Sequence, residues 1–290
     1  MTFILVKVPL YLVKERREKL AALITRNGYL PVKELCRQLE VSEATTRRDL
    51  SALEGDKRIK RTYGGAISEY DGRFPSFTER HTHASSAKKK IALAALSFIT
   101  PESTLFFDNG TTVYAIAEAL RQRTVVPIKI VTSSIPVGEL LAGTPGVEVF
   151  LVSGQLLPRQ SVLLGEMAIR SLEFWRFDLA FLSAEGMNAD GIWNSQAAIV
   201  DQQKAALKRS KRGIFCIDGT KLKQSAPHYL LPWSKVDLLL TDLTTRRLSQ
   251  AGIDLRPEQY CSVTGSASAR NEATALFNSS TDDELPVHFL

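Results

Sequence analysis

The run Asp108-Asn109-Gly110-Thr111-Thr112 carries what an anion site needs. Glycine lets main-chain amides approach an oxyanion, two threonine hydroxyls add donors, and a helix starting at Thr111 presents free amides and a favourable dipole. Phosphate is the natural guest, and a plain turn with a helix cap is the alternative. Further polar points recur downstream, each just after an apolar run: Ser133-Ser134, Gly154, Glu185-Gly186 and Asp218-Gly219-Thr220-Lys221. Asp218 and Lys221 suit a sugar hydroxyl and a phosphate, or else a surface ion pair in a tight turn. Asp201 either aims a carboxylate into the same crevice or marks a helix start. Trp193 either stacks on a sugar face or simply packs.

A different chemistry is concentrated in Ser42-Glu43-Ala44-Thr45-Thr46-Arg47-Arg48-Asp49-Leu50. Hydroxyls at a helix N-terminus donate to phosphate oxygens, and the arginine fork matches guanine O6 and N7 in a major groove. An ordinary solvated helix face is the alternative. Asp49 is expected to orient a neighbouring arginine, because a carboxylate facing phosphate repels it.

The elements that position these residues follow from periodicity. Val13, Leu20, Leu23 and Ile24 recur at helical spacing up to Asn27-Gly28. Val32, Leu35, Cys36 and Leu39 follow Pro31 and predict a short second helix ending at Glu40-Val41. Ser42 caps a third helix, whose inward face is Leu50 and Leu53 and which runs through Glu54. The short turn between the last two helices is that of a helix-turn-helix. The run from Lys57 to Gly65, which holds Lys60, Arg61 and Tyr63, then predicts a strand running into a glycine turn, a basic wing.

Beyond residue 86, apolar runs at 105–107, 128–131, 147–152, 179–182, 214–217 and 236–240 alternate with helical stretches. Continuous apolar runs at this spacing predict an α/β domain with a buried, largely parallel sheet and helices on both faces. The polar points above fall at the ends of these strands, where open α/β sheets bind ligands. The expected division is an N-terminal extension 1–13, a winged helix-turn-helix 14–68, a linker 69–85 with Phe74 and Phe77 packing on the next domain, an α/β domain 86–264, and a disordered tail 265–290 rich in Ser, Ala, Thr, Asn and Asp.

Composition agrees with two domains: 290 residues, 44% hydrophobic and 23% charged. The formal charge of +6 suggests a polyanion partner only weakly until it is divided along the chain. Residues 14–66 hold 13 Lys and Arg against 8 Asp and Glu, so +5 of the +6 belongs to the winged-helix region. Three widely spaced cysteines, Cys36, Cys216 and Cys261, suggest neither a disulfide scaffold nor a zinc site and fit a reducing cytosol. The apolar start, broken by Lys7 and Pro9, is too short for a bilayer span and lacks the order of a secretory signal.

Arg16 with Leu20 and Ile24, then Ser42-x-x-Thr45-x-Arg47-Arg48-Asp49-Leu50, then Arg61-x-Tyr63-Gly64-Gly65-Ala66, closely resembles the N-terminal winged helix-turn-helix of the DeoR family of bacterial transcriptional regulators. Thr46 departs from a usual aliphatic residue packing under the recognition helix, and Tyr63 from a common histidine. The marks Lys88-Lys89-Lys90-Ile91-Ala92, Asp108-x-Gly110-Thr111-Thr112, Val131-Thr132-Ser133-Ser134, Phe181-x-x-Ala184-x-Gly186 and Asp218-x-x-Lys221 resemble that family's sensor domain, in order. Asn109, Ser133 and Ser153-Gly154 depart from it.

The resemblance implies a ribose-5-phosphate-isomerase-like fold that senses phosphorylated sugars or related metabolites. It implies a cytoplasmic repressor of a carbohydrate-utilisation operon, acting on double-stranded operator DNA as a homo-oligomer of at least two chains. The residues expected at DNA are Ser42, Thr45, Thr46, Arg47, Arg48, Lys60, Arg61 and Tyr63. Those expected at the effector are Asp108, Asn109, Gly110, Thr111, Thr112, Ser133, Gly154, Glu185, Trp193, Asp201, Asp218 and Lys221. No cofactor, metal, membrane partner or catalytic residue is expected. The competing reading is a sugar-phosphate-isomerase-like or CoA-transferase-like enzyme fused to a DNA-binding module, with Asp108, Glu185, Asp201 and Lys221 supplying base and charge stabilisation. No specific catalytic signature accompanies the phosphate cradle, and binding alone suffices for a regulator.

Overall fold

The computed structural model describes residues 9–27, 29–56, 58–62, 65–68, 75–123, 126–224, 226–264, 271 and 273–277, which form two compact units divided after residue 74, residues 196–198 being grouped with the first. In the first, helices α1 (Leu10–Asn27), α2 (Val32–Leu39) and α3 (Glu43–Gly55) join a three-stranded antiparallel sheet of β1 (Tyr29–Pro31), β2 (Ile59–Thr62) and β3 (Gly65–Ser68), in the order β1-β3-β2. Leu20, Ile24, Leu35, Leu50, Leu53 and Ile59 are fully buried among them. Leu20 and Ile24, like Leu50 and Leu53, are one helical turn apart, so each pair enters the core from one face. Glu40 closes α2 in the left-handed conformation (φ 52°), and Ser42 opens α3, giving the short turn expected.

The second unit contains α4 (Phe77–Thr82), α5 (Ser85–Ala95), β4 (Thr104–Phe107), α6 (Thr111–Arg121), β5 (Ile128–Thr132), α7 (Ile135–Leu141), β6 (Val147–Leu151), β7 (Gln155–Leu157), β8 (Val162–Leu164) and α8 (Glu166–Glu173). It continues through β9 (Phe177–Leu182), β10 (Gly186–Asn188), β11 (Gly191–Asn194), α9 (Ala197–Lys208), β12 (Ser210–Cys216), β13 (His228–Leu231), β14 (Leu238–Thr241), α10 (Thr245–Ser249) and β15 (Tyr260–Ser262). Seven strands make one parallel sheet in the order β15-β14-β12-β9-β4-β5-β6. Its two faces carry separate cores: Leu105, Phe107, Ile214, Cys216, Leu238 and Leu240 enter one, and Phe106, Phe215, Ile217 and Leu239 the other. Alternate side chains of a strand point to opposite faces. A strand covered on both therefore needs every position apolar, which is why these runs are continuous. The smaller sheets are the β7–β8 hairpin and an antiparallel β10-β11-β13.

Three expectations are corrected here. Helix α1 begins at Leu10, inside the stretch read as an extension, because Leu10 to Val13 continue into the helix-forming run; Met1 to Val8 lie outside the described residues. The stretch read as linker holds α4, set by a capping box in which Ser76 and Glu79 bond each other's amides, and also the start of α5. Phe77 does pack on the second unit, 5.2 Å edge-on to Tyr114, whereas Phe74 lies outside the described residues. The stretch read as a tail includes helical residues 273–277, with Phe277 fully buried, edge-on to Phe98 at 5.4 Å and 3.5 Å beneath the Arg212 guanidinium. Phe277 and Ala273 dock this segment on the core, and Thr274 lies 3.3 Å from the Ser97 hydroxyl. The seventh strand, β15, went unread because Tyr-Cys-Ser is short and mixed in polarity.

Candidate functional site: a cation-lined crevice and a DNA-reading face

Strand β4 lies inside the sheet between β9 and β5, and its carboxyl end delivers Asp108. The carboxylate is fully buried, and its Oδ2 accepts from the Ser183 amide and hydroxyl, both at 3.0 Å, and from Gln203 Nε2 at 2.8 Å. Oδ1 makes no hydrogen bond among the described residues. Burial pushes the Asp108 carboxyl up from its ordinary range, against the lowering effect of these donors. Gly110 is required by the same contact: a Cβ there would sit 1.8 Å from Ser183 Oγ and expel the hydroxyl that holds Asp108. Thr111 and Thr112 follow, buried, in the first turn of α6, where a helix offers its amides no partner of its own and the N-cap Gly110 has no side chain to supply one.

Three cations surround this strand end. Lys88 of α5 is 4% exposed, and its ammonium donates to the carbonyls of Arg80 (2.5 Å) and His83 (2.6 Å). Burial lowers its pKa to about 8; Asp218 and Glu185 pull it up, and Lys221 and Arg80 push it down. The Arg80 guanidinium is likewise lowered by burial and supported by Glu185 and Asp108. Lys221 pairs with Glu185 at 3.0 Å. Asp218 turns its Oδ1 onto the Thr220 amide and hydroxyl, fixing the turn that carries Lys221. Arginine, two lysines, a helix start and three carboxylates in one crevice can hold a phosphate beside hydroxyl groups.

The reading face of the first unit is built differently. Ser42 Oγ accepts from the Thr45 amide at 3.2 Å and lies 3.0 Å from Thr45 Oγ1, capping α3. Arg47 and Arg48 stand exposed on α3, Arg47 also bonded to Glu43 at 2.8 Å. Asp49 is buried and bridges two arginines of α1, Arg16 at 2.6 Å and Arg17 at 2.9 Å, so its role is structural as expected. The wing is tied to α3 through Arg61, whose amide donates to Glu54 (2.8 Å) and whose guanidinium donates to Ser51 (2.6 Å). Lys60 is exposed beside it.

The family description "DeoR-like helix-turn-helix domain" matches residues 16–70, and "DeoR C terminal sensor domain" matches residues 83–243. The chain belongs to the DeoR family. The lactose phosphotransferase system repressor of Staphylococcus aureus (strain N315) is 33% identical over 212 residues, which cover 72% of this chain and 83% of that protein. The HTH-type transcriptional repressor GlcR of Bacillus subtilis (strain 168) is 29% identical over 243 residues, covering 83% and 92%. Among solved structures, ribose 5-phosphate isomerase A from Methanocaldococcus jannaschii aligns with 47% of this chain and 54% of that chain, at 14% identity and a TM-score of 0.35. That last likeness is too low to carry an argument.

In this DeoR-family chain the crevice gathers Asp108, Asn109, Gly110, Thr111, Thr112, Glu185, Asp218 and Lys221, with Ser133 at the end of the adjoining strand β5. Three expected effector residues stand elsewhere. Gly154 is exposed past the edge strand β6, and its φ of 152° and a Cβ position 2.8 Å from the Leu164 carbonyl show a glycine needed where the chain enters β7 against the end of β8. Asp201 is exposed on α9; the side chain that reaches Asp108 from this helix is Gln203, two residues on and therefore about 200° around the axis. Trp193 donates to Asn188 Oδ1 at 3.0 Å and packs edge-on to Tyr229 at 5.0 Å; it serves the site through its carbonyl, which accepts from the Glu185 amide at 3.1 Å.

On the DNA side Thr46 is corrected. It is fully buried, its hydroxyl donating back to the Ser42 carbonyl at 3.2 Å and lying 3.3 Å from Cys36 Sγ, so it packs under α3 and cannot meet DNA. Tyr63 lies outside the described residues.

Arg80, Lys88, Ser183 and Gln203 were missed as site residues. Lys88 was readable, since it shares a helical face with Ile91, Ala92 and Ala95, all buried, and a lysine on such a face needs a reason. Gln203 precedes Leu207 by one turn on the inward face of α9. Arg80 sits in an aperiodic stretch and gave no signal. Among the described residues no helix is long and apolar enough to cross a membrane, and no group of His, Cys, Asp and Glu is placed to hold a metal ion.

Proposed function

We propose that this protein is a DNA-binding transcriptional repressor of a carbohydrate-utilisation operon, controlled by a phosphorylated sugar held in the crevice around Asp108. The observation that carries the reading is the gathering of Arg80, Lys88 and Lys221 around Asp108, Glu185 and Asp218, in a chain whose other unit exposes Arg47 and Arg48 on a capped recognition helix. The names of the relatives, a lactose phosphotransferase system repressor and a transcriptional repressor, support it. Such a repressor works where its operator is, in the cytoplasm, and as at least a dimer, because one recognition helix spans too few base pairs for specificity. Control requires only that the effector bind one arrangement of the paired readers better than another, so turnover plays no part.

The test is a thermal-shift screen of the purified protein against sugar phosphates, followed by gel-shift titration on DNA upstream of its own operon. A ligand that binds only the folded state raises the melting temperature, by an amount set by its concentration relative to Kd. The same ligand is expected to change the DNA titration midpoint. Steady conversion of a sugar phosphate to product, with no effect on DNA binding, overturns the reading in favour of an enzyme.

A further inference from the structure

The crevice has two halves of different chemistry, and the second half concerns hydroxyls. On the β5 side of Asp108, the Thr132 hydroxyl donates to the Phe107 carbonyl at 2.7 Å, which sets Ser133 and Asp108 side by side at the ends of paired strands. The Ser133 carbonyl accepts from the Leu163 amide at 2.9 Å, the Leu163 carbonyl from Gln202 Nε2 at 3.1 Å, and Gln203, next in α9, returns to Asp108. Ser133, Leu163, Gln202, Gln203 and Asp108 thus close a ring. Two of its side-chain oxygens, Asp108 Oδ1 and Ser133 Oγ, are buried without a hydrogen bond among the described residues. A third such oxygen, Ser195 Oγ, follows Asn194, whose amide group donates to Gln203 at 3.0 Å.

A buried polar atom without a partner loses its hydration and gains nothing in return, so three on one network need a purpose. All three complement neutral hydroxyls: a carboxylate oxygen accepts, and a serine hydroxyl donates or accepts. The same carboxylate repels a phosphate, which belongs with Arg80, Lys88 and Lys221. We infer that Asp108 Oδ1 and Ser133 Oγ, with Ser195 Oγ, form a hydroxyl-specific subsite that binds the polyol end of the effector and points its phosphate at the cationic half. This rests on the effector class proposed above and adds its orientation and the residues that select among sugars.

Calorimetric titration of the full-length protein with inorganic phosphate, glucose 6-phosphate, fructose 1-phosphate and ribose 5-phosphate tests it, using whichever sugar phosphate binds tightest. Ser133→Ala is expected to weaken that sugar phosphate by about 3- to 10-fold and to leave inorganic phosphate within about twofold. Lys221→Ala is expected to weaken both. Because the Ser133 hydroxyl is unpaired, Ser133→Ala without ligand is also expected to melt no lower than the parent, which a structural hydroxyl would not allow. Ser195→Ala provides the same comparison should Ser133→Ala fail to fold. Equal loss for phosphate and sugar phosphate, or no loss for either, overturns the subsite alone. Binding of no sugar phosphate more tightly than inorganic phosphate overturns both the subsite and the effector class.

Discussion

Asp49 in the first unit and Asp108 in the second are both buried carboxylates, and they are completed in opposite ways. Asp49 has a guanidinium on each oxygen, Arg16 and Arg17, so its charge is neutralised within the fold. Asp108 has only neutral donors: the hydrogen bonds from Ser183 and Gln203 fall on Oδ2, the adjoining Asn109 amide also favours the carboxylate, and Oδ1 accepts no full hydrogen bond among the described residues. The cations divide the same way. Arg47 and Arg48 are exposed, where hydration makes an unfinished charge cheap, whereas Lys88 is buried with its ammonium on two backbone carbonyls. The DNA reader keeps structural charge inside and working charge outside. On the function proposed above, the sensor keeps its working charge inside, at a cost in stability that a complementary ligand would offset on binding.

The largest expected effect tests the structural side of this contrast. Asp49→Asn leaves Arg16 and Arg17 without their carboxylate and is expected to destabilise the protein by roughly 2–4 kcal/mol, below the full value for a buried pair because both arginines reach water. Asp108→Asn removes a charge that burial already disfavours, and its cost should be clearly smaller. Urea unfolding of the two variants measures the difference. Equal destabilisation would break the contrast.

Next in size are the exposed arginines. Arg47→Ala and Arg48→Ala are each expected to weaken operator binding by about 1–3 kcal/mol if the side chain reads a base. Stability should stay within about 0.5 kcal/mol, since neither side chain is buried. Gel-shift titration and urea unfolding on the same preparations separate the two effects. Lost stability with unchanged DNA binding would make these residues part of the fold and not of the reader.

The first unit was almost fully legible because its determinants are local. Leu20 and Ile24 lie one turn apart, Ser42 sits at a cap, and Glu40 occupies the turn between helices, all within a few residues of what they organise. Thr46 shows the limit. As a hydroxyl near a helix start it reads as a phosphate donor, and only the packing of α2 against α3 shows that its face is inward. The sheet of the second unit was legible because strands buried on two faces leave long apolar runs. Its site was legible only in part, since Asp108 meets Ser183 and Gln203 across 75 and 95 residues, and no local pattern encodes such a meeting. Arg80 depends on α4 docking Phe77 and His81 against Tyr114, a tertiary event in a stretch without periodicity.

The smallest expected effect sharpens the sensor side, through Lys88. Its pKa is ordinarily near 10.5 and burial lowers it to about 8, so between these values the unfolded chain holds the proton and the folded one releases it. The folded state is therefore penalised in full below about pH 8 and gains stability as pH rises towards 10.5. A bound phosphate works in the opposite direction. It favours the charged ammonium, so affinity should be greatest below pH 8 and fall by up to about tenfold from pH 7 to pH 9. Lys88→Met keeps the aliphatic stem and removes the charge, and should bind weakly with little pH dependence over that range. Phosphate titrations of both proteins at pH 7 and pH 9 decide the matter. A parent affinity that is flat with pH, or a variant that keeps the parent's slope, would place the working proton on another group and leave Lys88 as a structural clamp on the Arg80 and His83 carbonyls.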